Sequence, residues 1–100
     1  MEVKKNVISE FMKENVMETI LTLGLKYDMP IMMDYWMESK NGNVFIGQKN
    51  QDEQILVKNE EEYTSPIKKL LKLDNHIIVL TENSIYVIFN NIKIKKIKSN

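Results

Sequence analysis

Residues 76–89 have the sequence HIIVLTENSIYVIF, in which two apolar runs flank a short polar break. Segments 76–81 and 85–89 are rich in the β-branched and aromatic residues that strands favour. Glu82 and Asn83 lie between them and have the composition of a turn. The stretch therefore predicts two antiparallel strands joined by a tight connection.

The segments on either side of this hairpin predict more short strands, each set off by polar turn residues. Segment 64–73 carries apolar residues at Ile67, Leu70, Leu71 and Leu73, and this two-residue pattern slips once, which indicates a bulge near Lys69. Segment 92–98 carries lysines at its outward positions, as expected of an edge strand that avoids pairing with other chains. Earlier in the chain we predict strands at 31–39, 43–47 and 54–58.

Residues 30–39, PIMMDYWMES, fit either a helix or a strand. A helix would spread the apolar side chains over most of its circumference and place Asp34 and Glu38 at like-charged i,i+4 positions. A strand sorts the same residues onto two faces. Asn41-Gly42 follows, which is the strongest short signal for a hairpin because a type I′ turn needs a positive φ at both central residues. We therefore predict a strand on each side of this turn.

The amino-terminal part of the chain carries the clearest helical pattern. Over residues 7–24 apolar side chains recur at helical spacing and glutamates fall largely on the opposite side. Asn6 fits the N-cap and Gly24 a left-handed stop. The side chains expected to face the sheet are Ile8, Met12, Val16 and Ile20.

Together these patterns predict the α+β class and a single domain over residues 1–100. In this fold one N-terminal amphipathic helix packs on an antiparallel β-meander of about six or seven short strands. No unit recurs at a fixed length, so a repeat protein is excluded.

The composition excludes several classes of function. The chain has 100 residues, no Cys and a formal net charge of zero, so thiol chemistry is excluded and no overall field attracts nucleic acid. No segment approaches the ~18 consecutive apolar residues of a membrane helix, and the first residues do not resemble an export signal. We expect a cytoplasmic protein that is not associated with a membrane.

The charges are unevenly distributed along the chain. Residues 1–62 hold seven Lys against twelve Asp or Glu, whereas residues 63–100 hold seven Lys against two acidic residues. We expect the two halves to attract each other. All fourteen cations are Lys, which lacks the bidentate geometry that reads guanine, so sequence-specific DNA recognition is disfavoured.

The residues that could carry chemistry do not form a recognisable motif. His76 is the single imidazole and is predicted to face solvent just after a turn, without a nucleophile in a typical setting. The carboxylates at 52–53 and 60–62 lack the alternation of a calcium loop and indicate a solvated loop. We expect a protein that is not an enzyme and has no cofactor or metal.

Two surfaces are candidates for binding. If 31–39 is a strand, one face carries Met32, Asp34, Trp36 and Glu38, and Trp and Met are enriched where proteins bind proteins. A second sheet or a closed barrel would instead bury Trp36. If strands 64–73 and 92–98 adjoin, a basic patch for single-stranded nucleic acid arises, although edge protection explains the lysines equally well. Its members are Lys68, Lys69, Lys72, Lys93, Lys95 and Lys96.

Three pieces within residues 65–88, SPIKKL, HIIVL and TENSIYVI, resemble the closing strands of small phage and mobile-element proteins from AT-rich bacterial hosts. The resemblance implies an accessory protein, and anti-CRISPR and other anti-defence inhibitors are a prominent class among these. It thus implies that the chain binds and inhibits a host defence or regulatory protein, alone or in a ribonucleoprotein complex. The alternative is a small nucleic-acid-binding regulator, and either function is compatible with a homo-oligomer.

Overall fold

The computed structural model describes residues 12–97, which contain two helices and seven strands. Helix α1 (Glu14–Tyr27) comes first, followed by strand β1 (Ile31–Met32) and the short helix α2 (Trp36–Lys40). The remaining strands are β2 (Phe45–Gln48), β3 (Gln54–Val57), β4 (Ile67–Leu73), β5 (His76–Thr81), β6 (Ile85–Phe89) and β7 (Lys93–Lys96).

The strands form two mixed sheets. The larger sheet has the order β1-β6-β5-β4, in which β5 is antiparallel to both neighbours and β1 runs parallel to β6. The smaller sheet has the order β3-β2-β7, in which β2 is antiparallel to β3 and parallel to β7. The α+β class is confirmed. The single antiparallel meander is not what the chain forms, because β1 and β7 each pair in parallel with a strand far away in sequence.

The β5–β6 hairpin forms the middle of three layers. All six residues of β5 are buried, since successive side chains point to opposite faces and both faces are covered. On one face, Ile78 and Val87 pack with residues of α1. On the other face, Val79 and Ile88 pack with Ile46 and other residues of the smaller sheet. The order of layers is therefore α1, larger sheet, smaller sheet.

Helix α1 lies later in the chain than the predicted helix 7–24. Met12, Val16 and Ile20 are buried against the larger sheet, as the periodicity predicts. Asn6 and Ile8 lie outside the described residues.

The helix continues through Gly24 and ends at Asp28, which adopts the left-handed conformation with φ 53° and ψ 49°. Asp tolerates this conformation better than most residues. Gly24 instead permits close packing, because a Cβ at this position would lie 3.1 Å from Cδ1 of Ile31.

The prediction of a strand over 31–39 is wrong beyond Met32. Ile31 and Met32 pair with β6, and the chain then turns into α2 at Trp36. Because α2 begins after Asp34, the repulsion expected of two like charges within one helix does not arise. The helical turn buries Tyr35 in the cluster between the sheets and Trp36 in the cluster beneath α1.

Asn41-Gly42 ends helix α2 and does not form a hairpin turn. Asn41 has φ −85°, which a type I′ turn excludes, whereas Gly42 has φ +80°. The Gly42 N–H donates to the Ser39 carbonyl at 3.1 Å, and the Asn43 N–H donates to the Glu38 carbonyl at 2.9 Å. This is the Schellman motif, which needs a positive φ after the helix just as the hairpin turn does.

The other predicted strands are observed close to their predicted positions. The central hairpin pairs Leu80 with Ile85, and a register shift lies between Ile67 and Lys69, where the slipped period indicated a bulge. Strand β7 lies at an edge, as predicted for 92–98, but it is an edge of the smaller sheet. Lys98 lies outside the described residues.

Candidate functional site

The four residues predicted to form a partner-binding face do not share one. Trp36 is only 5% exposed, Met32 and Glu38 are half-buried, and Asp34 is exposed. These residues belong to β1, the following turn and α2, so the two-residue period does not relate them. The face predicted from that period is therefore wrong, and its aromatic residue is part of the core.

Trp36 is held in the core by the single histidine of the chain. The indole Nε1–H donates to Nε2 of His76 at 2.9 Å, which fixes Nε2 as the acceptor. Nδ1 of the neutral ring therefore carries the proton and donates to Oδ1 of Asn75 at 2.7 Å. His76 is fully buried, so the prediction that it faces solvent is wrong. Burial lowers its pKa below the usual value of 6.5, and the carboxylate of Asp74 only partly opposes this.

Ser39 completes the buried polar network around Trp36. Its hydroxyl donates to the Trp36 carbonyl at 2.6 Å and accepts the N–H of Phe89 at 2.9 Å. Within residues 12–97 no buried side-chain nitrogen or oxygen lacks a hydrogen-bond partner. The hydrogen bonds of Ser39 and His76 thus anchor α2 to the larger sheet.

A pair of tyrosines lies in the second core cluster. The rings of Tyr35 and Tyr86 meet edge to face with centroids 5.2 Å apart. Burial raises the pKa of Tyr35 to about 12, and burial also raises the pKa of Tyr86. Both phenols therefore remain protonated near neutral pH. In the described part of the chain, no three His, Cys, Asp or Glu side chains are grouped so that they could hold a metal ion.

The lysines predicted to form one basic patch lie on two different sheets. Lys68, Lys69 and Lys72 belong to β4, at an edge of the larger sheet, and Lys68 forms an ion pair of 3.4 Å with Glu82. The other three lysines belong to β7, at an edge of the smaller sheet. The two strands do not pair, so the condition for a continuous patch is not met.

A row of paired residues crosses the outer face of the smaller sheet. Ile46 and Leu56 point into the core, so the residues that alternate with them point outward. In that row Tyr63 bridges Val57, Val57 pairs with Phe45, and Phe45 pairs with Lys93 of β7.

This outer face contains an apolar groove with a volume of about 750 Å³. Its apolar lining consists of the buried side chains of Ile55 and Val57 together with Phe45, Tyr63 and Ile97. Tyr63 is 59% exposed, although it lies beside apolar residues. Such an exposed aromatic ring next to an apolar depression is typical of a surface that binds another molecule.

Gly47 allows the carboxyl-terminal wall of the groove to form. A Cβ at this position would lie 2.8 Å from Cδ1 of Ile97, a contact closer than real Cβ atoms make. A side chain at position 47 would therefore displace the end of the Ile97 side chain from its place on the sheet. The contact is reinforced by the N–H of Ile97, which donates to the Gln48 carbonyl at 3.0 Å.

The rim of the groove carries both signs of charge. Lys49 lines one end and forms an ion pair of 3.4 Å with Glu53, while Glu60 lines the groove and is exposed. The ammonium of Lys95 lies 4.8 Å from the centroid of the Phe45 ring. A mixed rim around an apolar floor suits a protein segment better than a polyanion, because Glu60 repels phosphates.

The groove was not predicted from the sequence, although one feature of the sequence indicates it. Segments 44–46 and 55–57 are apolar at every position, whereas a sheet with one buried face needs only alternate apolar residues. The side chains of Phe45, Ile55 and Val57 supply the second, outward apolar face.

Comparisons with known proteins add no relative: no family model, no curated protein and no solved structure matches the chain. Over the described residues, neither helix has the length and apolar character needed to span a membrane.

Proposed function

We propose that the chain is a non-enzymatic module that binds another protein through the groove on the outer face of the smaller sheet. One observation carries this proposal: Tyr63 is 59% exposed where it lines an apolar groove with Phe45 and Val57 on the outer face of the smaller sheet. Aromatic residues at the centre of an apolar patch contribute most of the affinity in many interfaces.

The buried network supports a function without catalysis. The potential base His76 and the potential nucleophile Ser39 are both enclosed, and their polar atoms are engaged in hydrogen bonds with Trp36, Asn75 and Phe89. A substrate cannot reach either group without opening the core.

The resemblance within residues 65–88 suggests what the partner is. If the chain acts as small phage proteins of this type do, it is an anti-CRISPR-like inhibitor in the cytoplasm of the host cell. The groove would then seat a segment of a host defence or regulatory protein, alone or within a ribonucleoprotein complex. Binding at such a segment would inhibit the partner by covering a surface that it needs.

Photo-crosslinking tests the groove directly. A benzophenone amino acid replaces Tyr63 in one protein and Leu25 in another, because Leu25 is 86% exposed and apolar but lies on helix α1. In a lysate of the cells in which the chain is naturally made, we expect a protein adduct from position 63 and none from position 25. The same adduct from both positions, or from neither, contradicts the proposal.

Affinity measurements with the crosslinked protein, once purified, complete the test. Tyr63→Ala should weaken binding by ~2 kcal/mol, about thirtyfold, because an exposed aromatic anchor is lost. Tyr27→Ala is the matched control, since Tyr27 is also exposed but lies at the end of α1. An equal effect of the two substitutions would show that the groove is not the interface.

Nucleic acid is the second candidate ligand, favoured by the ammonium group of Lys95, which lies 4.8 Å from the centroid of the exposed-face ring of Phe45. A labelled oligothymidylate is titrated at about 50 mM and about 200 mM salt, since counterion release makes phosphate binding fall steeply with salt. Tight binding that falls by about a thousandfold, together with no protein adduct at position 63, would favour the nucleic-acid regulator.

A further inference from the structure

Strand β7 offers a sheet edge beside the groove. It pairs with β2 on one side, and among residues 12–97 no strand pairs with its other side. All four of its residues are exposed, and Ile94 is 62% exposed although it is apolar. An edge of this kind presents backbone donors and acceptors to a further strand.

The hydrogen bonds to β2 show which backbone groups face outward. Ile97 donates its N–H to Gln48 of β2, and Lys95 pairs with Gly47 in the parallel ladder. Because the N–H and C=O of one residue point to the same side and successive residues alternate, Lys95 also faces β2. Ile94 and Lys96 therefore direct their N–H and C=O groups away from the sheet.

The side chains of β7 alternate between the two faces, so Lys93 and Lys95 share one face and Ile94 and Lys96 share the other. Lys93 and Lys95 pair with Phe45 and Gly47, so they lie on the groove face, whereas Ile94 pairs with Ile46 on the other face. Within the described part of the chain, none of the lysines of β7 forms an ion pair with a carboxylate. The edge thus carries two lysines without an ion pair on the groove face, and the exposed Ile94 beside Lys96 on the other face.

We propose that the β7 edge binds an extended acidic segment of the partner protein as an added strand. Carboxylates of that segment lie opposite Lys93 and Lys95, and its alternate apolar side chains cover Ile94. Opposite charges across neighbouring strands are favourable, and the backbone ladder supplies the remaining hydrogen bonds. The inference rests on the proposed function, because the added strand continues the face that contains the groove.

The same lysines exclude a second copy of this chain from the edge. Two β7 strands side by side would bring lysines opposite lysines, which is unfavourable. Lysines on this edge therefore oppose self-association and still admit an acidic strand. A protein surface becomes specific when it repels the wrong partner as well as attracting the right one.

Two substitutions at one position isolate the backbone contribution. Lys96→Ala removes the charge and retains the outward N–H, whereas Lys96→Pro removes both. Proline is tolerated where the lost N–H faces away from the sheet, so both variants should fold, which circular dichroism and thermal melting verify. The probe is a short fluorescein-labelled peptide of alternating glutamate and valine, followed by fluorescence anisotropy.

We expect the parent protein to bind this peptide, Lys96→Ala to weaken binding about twofold, and Lys96→Pro to weaken it about tenfold or more. Peptides with lysine in place of glutamate, or with the same residues in two separate blocks, should not bind. Equal affinities of Lys96→Ala and Lys96→Pro, or binding of the block peptide, would overturn strand addition. Failure of the alternating peptide to bind would also overturn it, and preferential binding of oligothymidylate would assign the lysines to nucleic acid.

The result is separable from that of the groove experiment. If position 63 still crosslinks a protein in the Lys96→Pro background with undiminished yield, the groove binds without an added strand, and only the present inference fails. If neither the crosslink nor the peptide is observed in the parent protein, both proposals fail.

Discussion

Trp36 and His76 depend on each other inside the core. The indole stacks on Phe89 with centroids 5.7 Å apart and an angle of 12° between the rings. A buried indole N–H needs an acceptor, and Nε2 of His76 provides it at 2.9 Å. Replacing either residue alone leaves a buried polar group unpaired, which costs more than the hydrogen bond itself stabilises.

Substitution of Trp36 should therefore reduce stability. We expect Trp36→Ala to lower the free energy of unfolding by ~3–5 kcal/mol, because a large buried ring is lost. Met37→Ala is the matched control, since the adjacent side chain is exposed and should change stability by less than ~0.5 kcal/mol. Urea unfolding measures both. In the parent protein the fluorescence of Trp36 should be blue-shifted and protected from quenching by acrylamide. A red-shifted emission that acrylamide quenches readily would contradict the buried position of Trp36.

His76 should make stability dependent on pH. Burial lowers the folded-state pKa of His76 below its usual value of 6.5, so in acid the unfolded chain binds a proton that the folded chain resists. The stabilisation is therefore complete above about pH 6.5 and is lost as pH falls below that value. Melting curves between about pH 7.5 and about pH 5.5 should show a falling Tm.

The chain has one histidine, so a single imidazole signal in the NMR spectrum reports its titration. His76→Phe is the control: it should lower Tm at every pH and abolish the slope in this range. A slope that persists in that variant would assign the effect to other groups.

At the scale of elements, helix α1 is fixed by one buried stripe. Val16 is fully buried against the larger sheet, whereas Leu25 on the same helix is 86% exposed. Val16→Asp should abolish the cooperative thermal transition, because an unpaired buried carboxylate costs several kcal/mol against a total stability of ~5–15 kcal/mol. Leu25→Asp should melt close to the parent. Similar melting curves for Val16→Asp and the parent would contradict the packing of α1.

The strands were easier to predict from sequence than the short helix. In 76–89 the apolar runs are long and the polar break is unambiguous, so local pattern and tertiary structure agree. Helix α2 has five residues and is stabilised mainly by the burial of Tyr35 and Trp36 in two different clusters. No local sequence pattern predicts the burial of two adjacent residues in different clusters. A glycine such as Gly42 is, moreover, equally compatible with the end of a helix and with a hairpin turn.

The candidate site could be predicted only in part, for a related reason. Apolar residues at every position of 55–57 show that both faces of this strand are apolar, but not which face stays open. That depends on the parallel pairing of β2 with β7, which brings Ile97 over Gly47. Tyr63 gives no periodic signal, because it joins β3 through an isolated bridge to Val57.

At the scale of the whole molecule, backbone pairing unites the two oppositely charged halves of the chain. Strand β7 of the basic half completes a sheet whose other strands belong to the acidic half. The ion pairs of the described residues include Lys13 with Asp74 and Lys68 with Glu82, but none joins an acidic residue of the first half to a lysine of the second. Among residues 12–97 the two halves are therefore joined by the parallel ladders of β1 with β6 and of β2 with β7, and not by ion pairs of this kind.

The shared β5–β6 layer should make the two cores unfold together. Leu56 is fully buried in the cluster between the sheets, while Trp36 lies in the cluster under α1. Since residues of β5 alternate between these clusters, loss of one removes support from the other. Leu56→Ala should lower stability by ~2–5 kcal/mol, and the shift should be the same by Trp36 fluorescence and by circular dichroism.

Leu70→Ala provides the comparison, because Leu70 lies on edge strand β4 and is exposed, so its loss should have little effect. If fluorescence and circular dichroism give the same transition for the Leu56→Ala variant, the smaller sheet and the environment of Trp36 unfold together, because β5 and β6 connect them. If Trp36 fluorescence kept the parent's midpoint while circular dichroism shifted, the smaller sheet would unfold on its own. The groove would then be a separately stable unit, contrary to the continuous packing on both faces of β5.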